Sequence, residues 1–125
     1  MVVDTSALLA LIFNEPPGAW VADLLQDNSG SLMMSTVNYA EALILVTDRS
    51  PSTAVHVREA VEASSIRLVP PSVRHAEIAA VARKRYRLNL GDCFAYALAK
   101  DEACPVLTLD RDFRATDVAA VLPRR

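Results

Sequence analysis

The first thirteen residues, MVVDTSALLALIF, constrain this chain more than any other stretch. Val2 and Val3 read as a buried strand and SALLALIF as an apolar helix, so Asp4 stands where a hydrophobic strand ends and a helix begins. In an open α/β sheet that edge is where ligands bind. The position also suits a helix cap, with Asp4, Thr5 or Ser6 accepting an orphan backbone N–H. Three further carboxylates in equally conspicuous places, Glu41, Asp92 and Asp110, shift the reading from a cap toward a site.

The alternation of strand and helix continues along the chain. After a break at NEPPG, Pro17 opens a second helix to about Asn28, with Val21, Leu24 and Leu25 on one face. Trp20 on that helix reads as core packing or as part of a partner-binding groove. Leu32 to Met34 reads as a short strand, and Ser35 caps the helix TVNYAEALILVTD. Glu41 shares a face there with Val37, Ile44 and Leu45. A carboxylate within an apolar stripe is unfavourable unless it is paired or binds a metal, which makes Glu41 a site candidate; the alternative is a partly exposed helix edge. Ser35 and Asn38 lead up to it and are placed to orient a water or a phosphate.

Ser50-Pro51 starts a capped helix to about Ser64, Ile66 to Val69 is a strand, and Pro70-Pro71-Ser72 begins a helix to about Arg87. His56 and His75 read as surface or capping histidines, and Arg83 to Arg87 as a solvated helix end or as phosphate contacts. Asn89 opens the next helix, in whose first turn Asp92 completes a capping box and heads a face of Ala95, Tyr96 and Ala99. Pro105 to Leu109 is the last strand read. Asp110 follows it as Asp4 follows the first, with Asp112 and Asp117 close behind and Phe113 as an apolar anchor.

A chain of 125 residues, 52% apolar, suits one compact domain over residues 1–125 that needs no disulfide or structural metal. No apolar run approaches the ~20 residues of a membrane span, and no signal-peptide pattern precedes the fold. A cytoplasmic protein that does not enter membranes is expected, with Cys93 and Cys104 reduced. The formal charge of −2 argues against chain-wide attraction to nucleic acid. With four of the fifteen acids assigned to a site, however, the thirteen basic side chains outnumber the rest.

Strands alternating with helices predict an α/β fold, a parallel sheet covered on both faces, and right-handed crossovers then bring every strand C-terminus to one edge. Asp4, Glu41, Asp92 and Asp110 converge there if the helix of Glu41 packs beside them. Four carboxylates in one pocket repel one another until cations occupy it. Hard oxygen donors without His or Cys select Mg²⁺ or Mn²⁺ over Zn²⁺ and suit phosphodiester hydrolysis. With glycines only at 18, 30 and 91, no phosphate-cradling loop or dinucleotide fingerprint can be written. Ser6 stands where a haloacid-dehalogenase-type phosphatase has its second Asp, and Cys93 lacks an evident His partner for nucleophilic catalysis.

These pieces resemble the PIN domain of the VapC toxin type: VVDTSALLAL with Asp4 and Ser6, STVNYAEAL with Asn38 and Glu41, LGDCFAYALAK with Asp92, and VLTLDRDF with Thr108, Asp110 and Asp112. The resemblance implies a three-layer α/β/α sandwich around about five parallel strands. It implies a metal-dependent endoribonuclease, the toxin of a bacterial toxin–antitoxin pair, leaving 5′-phosphate ends. It further implies a homodimer, a cognate antitoxin protein as partner, catalytic and metal-binding roles for the four acids, and supporting roles for Ser6, Asn38 and Thr108. Asp110 and Asp112 are alternatives for the fourth ligand, with Asp117 acting through a water. A DNA nuclease, a housekeeping RNA-processing nuclease and a non-catalytic binding module are the competing functions.

Overall fold

The computed structural model describes residues 1–124; Arg125, expected to fray with the preceding Pro-Arg, lies outside the described residues. The strands are β1 (Val2–Val3), β2 (Met33–Ser35), β3 (Arg67–Val69), β4 (Val106–Leu107) and β5 (Ala120–Val121). The helices are α1 (Thr5–Ile12), α2 (Gly18–Asp27), α3 (Thr36–Arg49), α4 (Ala54–Ala63), α5 (Val73–Arg85) and α6 (Leu90–Glu102). All strand pairs are parallel, in the order β3-β2-β1-β4-β5. Val2 lies opposite both Met33 and Val106, and Val3 opposite Leu107.

Alternation along β1 builds the two cores, because successive strand side chains point to opposite faces. Val3 joins Leu8, Val21, Met34, Val46 and Leu107 beneath α1–α4. Val2 joins Leu88, Cys93, Leu98, Val106 and Phe113 beneath α5 and α6. The result is the α/β/α sandwich expected, with β1 at its centre. Among the described residues, no helix is long and apolar enough to cross a membrane.

Local chemistry explains where the helices begin and end. Ser35 Oγ accepts from Val37 N at 3.2 Å and starts α3. Capping boxes start α5, through Ser72 and His75, and α6, through Asn89 and Asp92. His75 is therefore the capping histidine anticipated, although it is buried: its Nδ1 accepts from Ser72 N, and its Nε2 meets Asp101. Helix α6 ends at Ala103 with φ 52, a left-handed cap made without glycine. Small side chains let α6 sink between sheet and neighbours, so that Ala95, Tyr96 and Ala99 are all buried as their shared face predicted.

Four details depart from expectation. The buried face of α3 is Asn38, Ala42 and Val46, whereas Ile44 and Leu45 stay 60% and 44% exposed. The apolar stripe through Glu41 thus lies at the solvent edge, because α3 carries apolar residues on more sides than one. Ser50 bonds the Thr53 hydroxyl rather than a helix N–H, and a 3-10 turn over Pro51–Thr53 precedes α4. Helix α5 stops at Arg85, where Tyr86 turns extended and packs its ring against Tyr96 at 5.6 Å. Finally, β5 is a strand that the sequence did not announce. Both cysteines are free.

Candidate active site

The order of the strands reverses at β1 and β4, and the crevice beyond their C-terminal ends is the place where open parallel sheets bind ligands. Asp4 sits at that switch point, 1% exposed, its N–H bonded to Leu107 O at 3.0 Å. Its Oδ1 accepts from Thr5 N at 2.8 Å and caps α1. Its Oδ2 accepts from Thr108 Oγ1 at 2.8 Å and from Ser6 Oγ at 3.0 Å. The same two hydroxyls accept from the backbone beyond β4: Ser6 Oγ from Leu109 N at 2.9 Å, and Thr108 Oγ1 from Asp110 N at 3.0 Å. Ser6 and Thr108 thereby stitch the two strand ends that carry Asp4 and Asp110.

Burial pushes the Asp4 carboxyl up to about 6; the hydrogen bonds from Thr108, Ser6 and Thr5 pull against that rise, and the nearby Glu41 charge adds to it. Asp92, in the first turn of α6, accepts from Asn89 N at 3.4 Å while Asn89 Oδ1 accepts from Asp92 N at 2.8 Å. It is pushed up to about 8, first by burial and then by the charges of Asp4 and Asp110, and it lies near enough to Asp110 for the two carboxyls to share a hydrogen bond. Asp110 is half-buried, and its Oδ1 accepts from Asp112 N at 2.9 Å to cap a 3-10 turn over Arg111–Ala115. The cap reading holds for these acids, and their placement is compatible with the site reading. Each of the three caps a helical segment, and the three lie near one another.

Glu41 is half-buried and reaches α6 from the side, its carboxylate against the backbone of Gly91. Asn38, completely buried one turn before it, donates from Nδ2 to Gly91 O at 3.0 Å and to Thr5 Oγ1 at 3.1 Å. Asn38 Oδ1 is buried without a hydrogen-bond partner. Asp112 is exposed, its backbone rather than its side chain engaged with Asp110. Asp117 accepts from Tyr96 Oη at 2.5 Å and pairs with the Lys100 ammonium, so both of its oxygens are engaged away from Asp4, Asp92 and Asp110. Arg83, Lys84, Arg85 and Arg87 are exposed, as a solvated helix end requires. Trp20 packs on the core, as one of its readings had it, and also lines a groove of about 740 Å³ with Pro16, Pro17, Leu122 and Pro123.

Among the described residues, no three acids already stand as a ready ligand group around one point. Asp4, Asp92 and Asp110 each commit an oxygen to a backbone N–H. The donor set nevertheless fits a hard divalent cation. Asp4 and Asp92, withdrawn from water, raised by neighbouring carboxylates and, among the described residues, in no ion pair with Lys or Arg, are groups whose charge a cation stabilises.

The family model described as PIN domain matches residues 1–119. The chain belongs to the PIN-domain family. Within that family it is 36% identical to Ribonuclease VapC of Mycolicibacterium smegmatis, over 97% of this chain and 99% of that protein. It is 34% identical to Ribonuclease VapC28 of Mycobacterium tuberculosis over the full length of both. This PIN-domain chain therefore falls within the VapC branch. Among solved structures it superimposes on Mycobacterium tuberculosis VapC20, a Sarcin-Ricin loop cleaving toxin, with a TM-score of 0.81 at 20% identity and 98% coverage of both chains. It matches DNA-bound VapBC from Salmonella typhimurium with a TM-score of 0.78 at 16% identity, over 96% of this chain and 95% of that one.

Proposed function

We propose that this chain, read as one PIN domain, is a metal-dependent endoribonuclease and the toxin of a VapC-type toxin–antitoxin pair. The observation that carries the reading is the pair of carboxyl groups at the β1–β4 switch point, Asp4 and Asp92, both raised by burial and by neighbouring carboxylates and, among the described residues, in no ion pair with a Lys or Arg. Asp4, Asp92 and Asp110, with Glu41 at the rim, are the residues that would hold Mg²⁺ or Mn²⁺. Asp110 is preferred to Asp112 as the fourth acid, because Asp110 is the one that perturbs Asp92.

When bound, a divalent cation polarises a phosphate oxygen and lowers the pKa of a coordinated water, the two requirements of phosphodiester hydrolysis. The protein's own contribution is positional. Ser6 and Thr108 donate to Asp4 Oδ2 and fix its rotamer, as outer hydrogen bonds do for carboxylate ligands. Asp92 retains a proton at neutral pH in the metal-free protein and releases it when positive charge arrives. Thr108 also anchors Asp110 N, so one hydroxyl aligns two of the acids.

The substrate is RNA, as the printed names of the VapC relatives suggest. The partner is an antitoxin that lays an apolar segment near Trp20 and sets a basic side chain at the acids. A homodimer in the cytoplasm is the expected assembly. Incubation of the purified protein with total RNA and, in parallel, with DNA, each with Mg²⁺, with Mn²⁺ and with EDTA, tests the reading. Cleavage of RNA that requires metal and leaves 5′-phosphate ends supports it. Cleavage undiminished in excess chelator overturns the metal mechanism, and cleavage of DNA alone overturns the ribonuclease assignment.

A further inference from the structure

Two residues of α3, less than one turn apart, bear on a single residue of α6. Asn38 donates from Nδ2 to Gly91 O at 3.0 Å. Glu41 lays its carboxylate over the Gly91 backbone so closely that a Cβ at position 91 would meet Oε1 at 2.6 Å, Oε2 at 2.8 Å and the carboxyl carbon at 2.9 Å. Gly91 lies within helix α6 and is not in the left-handed region, where only glycine is at ease. Alanine would suit such a position better. The missing side chain therefore serves space, and the occupant of that space is Glu41.

Asn38 is held on a second side as well. Its Nδ2 donates to Thr5 Oγ1 at 3.1 Å, and that hydroxyl donates back to Asn38 O at 3.3 Å. The same Nδ2 donates to Asp4 Oδ1 at 3.5 Å, so the amide joins Asp4 and Thr5 to the residue before Asp92, from the helix that carries Glu41. Only the NH₂ end can face Gly91 O, so the orientation of the amide is set, and its Oδ1 is left buried without a partner. An unpaired buried acceptor is an unfavourable arrangement for a residue whose task is packing alone.

Resting on the metal-site reading above, we infer that Asn38 and Gly91 form a positioning clamp that seats Glu41 and sets its spacing to Asp4 and Asp92. Neither residue touches ion or substrate; both act through the carboxylates. The atoms crowding position 91 are the far end of a flexible side chain, so a methyl group there moves the Glu41 carboxylate and leaves the helix in place.

Mn²⁺ titration calorimetry and thermal melts of the full chain test the clamp, on wild type, Gly91→Ala, Asn38→Ala, Glu41→Ala and the Gly91→Ala/Glu41→Ala pair. Gly91→Ala is expected to melt, metal-free, at or above the wild-type temperature, while its Mn²⁺ affinity falls on the order of tenfold, as loss of a ligand-orienting partner does. Asn38→Ala weakens Mn²⁺ by a comparable factor. In the Glu41→Ala background the added methyl group has nothing to displace, so it weakens Mn²⁺ no further. Equal losses from Gly91→Ala in both backgrounds would mean a general distortion of α6 and overturn the clamp. If Gly91→Ala does not fold, Asn38→Ala decides, and wild-type affinity in that variant overturns the proposal. Wild type that binds Mn²⁺ alongside variants that bind it equally well sinks the clamp alone, whereas wild type that binds no Mn²⁺ sinks the metal site and the clamp with it.

Discussion

The two ends of α6 treat their acids in opposite ways. At the N-terminal end, Asp92 meets Asp4 and Asp110, has no ion pair with Lys or Arg among the described residues, and is raised well above an ordinary aspartate. Toward the C-terminal end, Asp101 receives Arg74 Nε at 2.6 Å and His75 Nε2 at 3.0 Å, and Asp117 receives Lys100 and the Tyr96 hydroxyl. Those hydrogen bonds and charges hold both carboxyls below their usual value. One helix thus carries an acid that the protein neutralises, Asp101, and an acid that is left for something else to neutralise, Asp92. Fold stability accounts for the first arrangement and works against the second, and that contrast is what supports the proposed metal site without reference to any relative.

The most severe way to break the contrast is Asp92→Asn. It should reduce cleavage by at least the roughly 10–100-fold that loss of an outer-shell partner costs a metal site. An amide can still accept from Asn89 N, and it removes a charge from a repulsive set, so the metal-free protein should melt no lower than wild type. A cap lost outright would instead destabilise by about 0.5–2 kcal/mol. Retained activity in a variant that melts markedly lower would return Asp92 to the role of a helix cap.

A pH series sharpens the same contrast with a middling effect. Asp4 and Asp92 are raised in the folded state, to about 6 and about 8, against an ordinary aspartate near 4. Folded protein therefore binds more protons than unfolded chain between about pH 4 and pH 8, and stability falls as pH climbs through that window. The lowered acids, Asp101 and Asp117, act in the opposite direction and in a different window: their contribution is present above the ordinary aspartate value and is lost only as pH falls below it. Melting temperatures of the metal-free protein should drop from pH 5 to pH 8, and saturating Mn²⁺ should remove the slope. A flat profile without metal would show that the acids at the switch point are not coupled.

The smallest effect belongs to the other end. Asp117→Asn loses an ion pair in which the carboxylate is 42% exposed and the ammonium 47%. Pairs of that kind contribute less than about 1 kcal/mol, an amount that high salt reduces further. Melts at low and high salt should show a slight, salt-sensitive loss, with RNA cleavage and Mn²⁺ affinity unchanged. A drop in cleavage would place Asp117 in the site after all.

What the sequence disclosed follows from which signals are local. Asp4 and Asp92 were legible because each stands at a junction that a hydrophobic run and a cap residue mark within a few positions. The three layers followed from the alternation of strands with helices. The inward face of α3 was not legible, because Val37, Leu43, Ile44, Leu45 and Val46 spread apolar character around the helix, and only packing reveals that Asn38, Ala42 and Val46 point inward. Glu41 was accordingly placed in a stripe that turned out to be the rim, while Asn38, the completely buried polar residue, was read only as an accessory. Gly91 carries no reading of its own in the sequence; its contact with Glu41 joins residues fifty positions apart and has no local signature. Strand β5 is two residues, Ala120 and Val121, paired on one side only, too short for a period to show.

The hydroxyl of Thr108 reaches Asp4 across a separation of 104 residues, and this long span has a consequence for the order of events during synthesis. Asp4 and Glu41 leave the ribosome early, yet β1 acquires β4 as its neighbour, and Asp4 its hydrogen bond from Thr108, only when the last part of the chain has emerged. A nascent chain thus carries no assembled acidic centre. A chain still lacking β4 therefore has Asp4 without its hydrogen bond from Thr108 and without the strand end that carries Asp110.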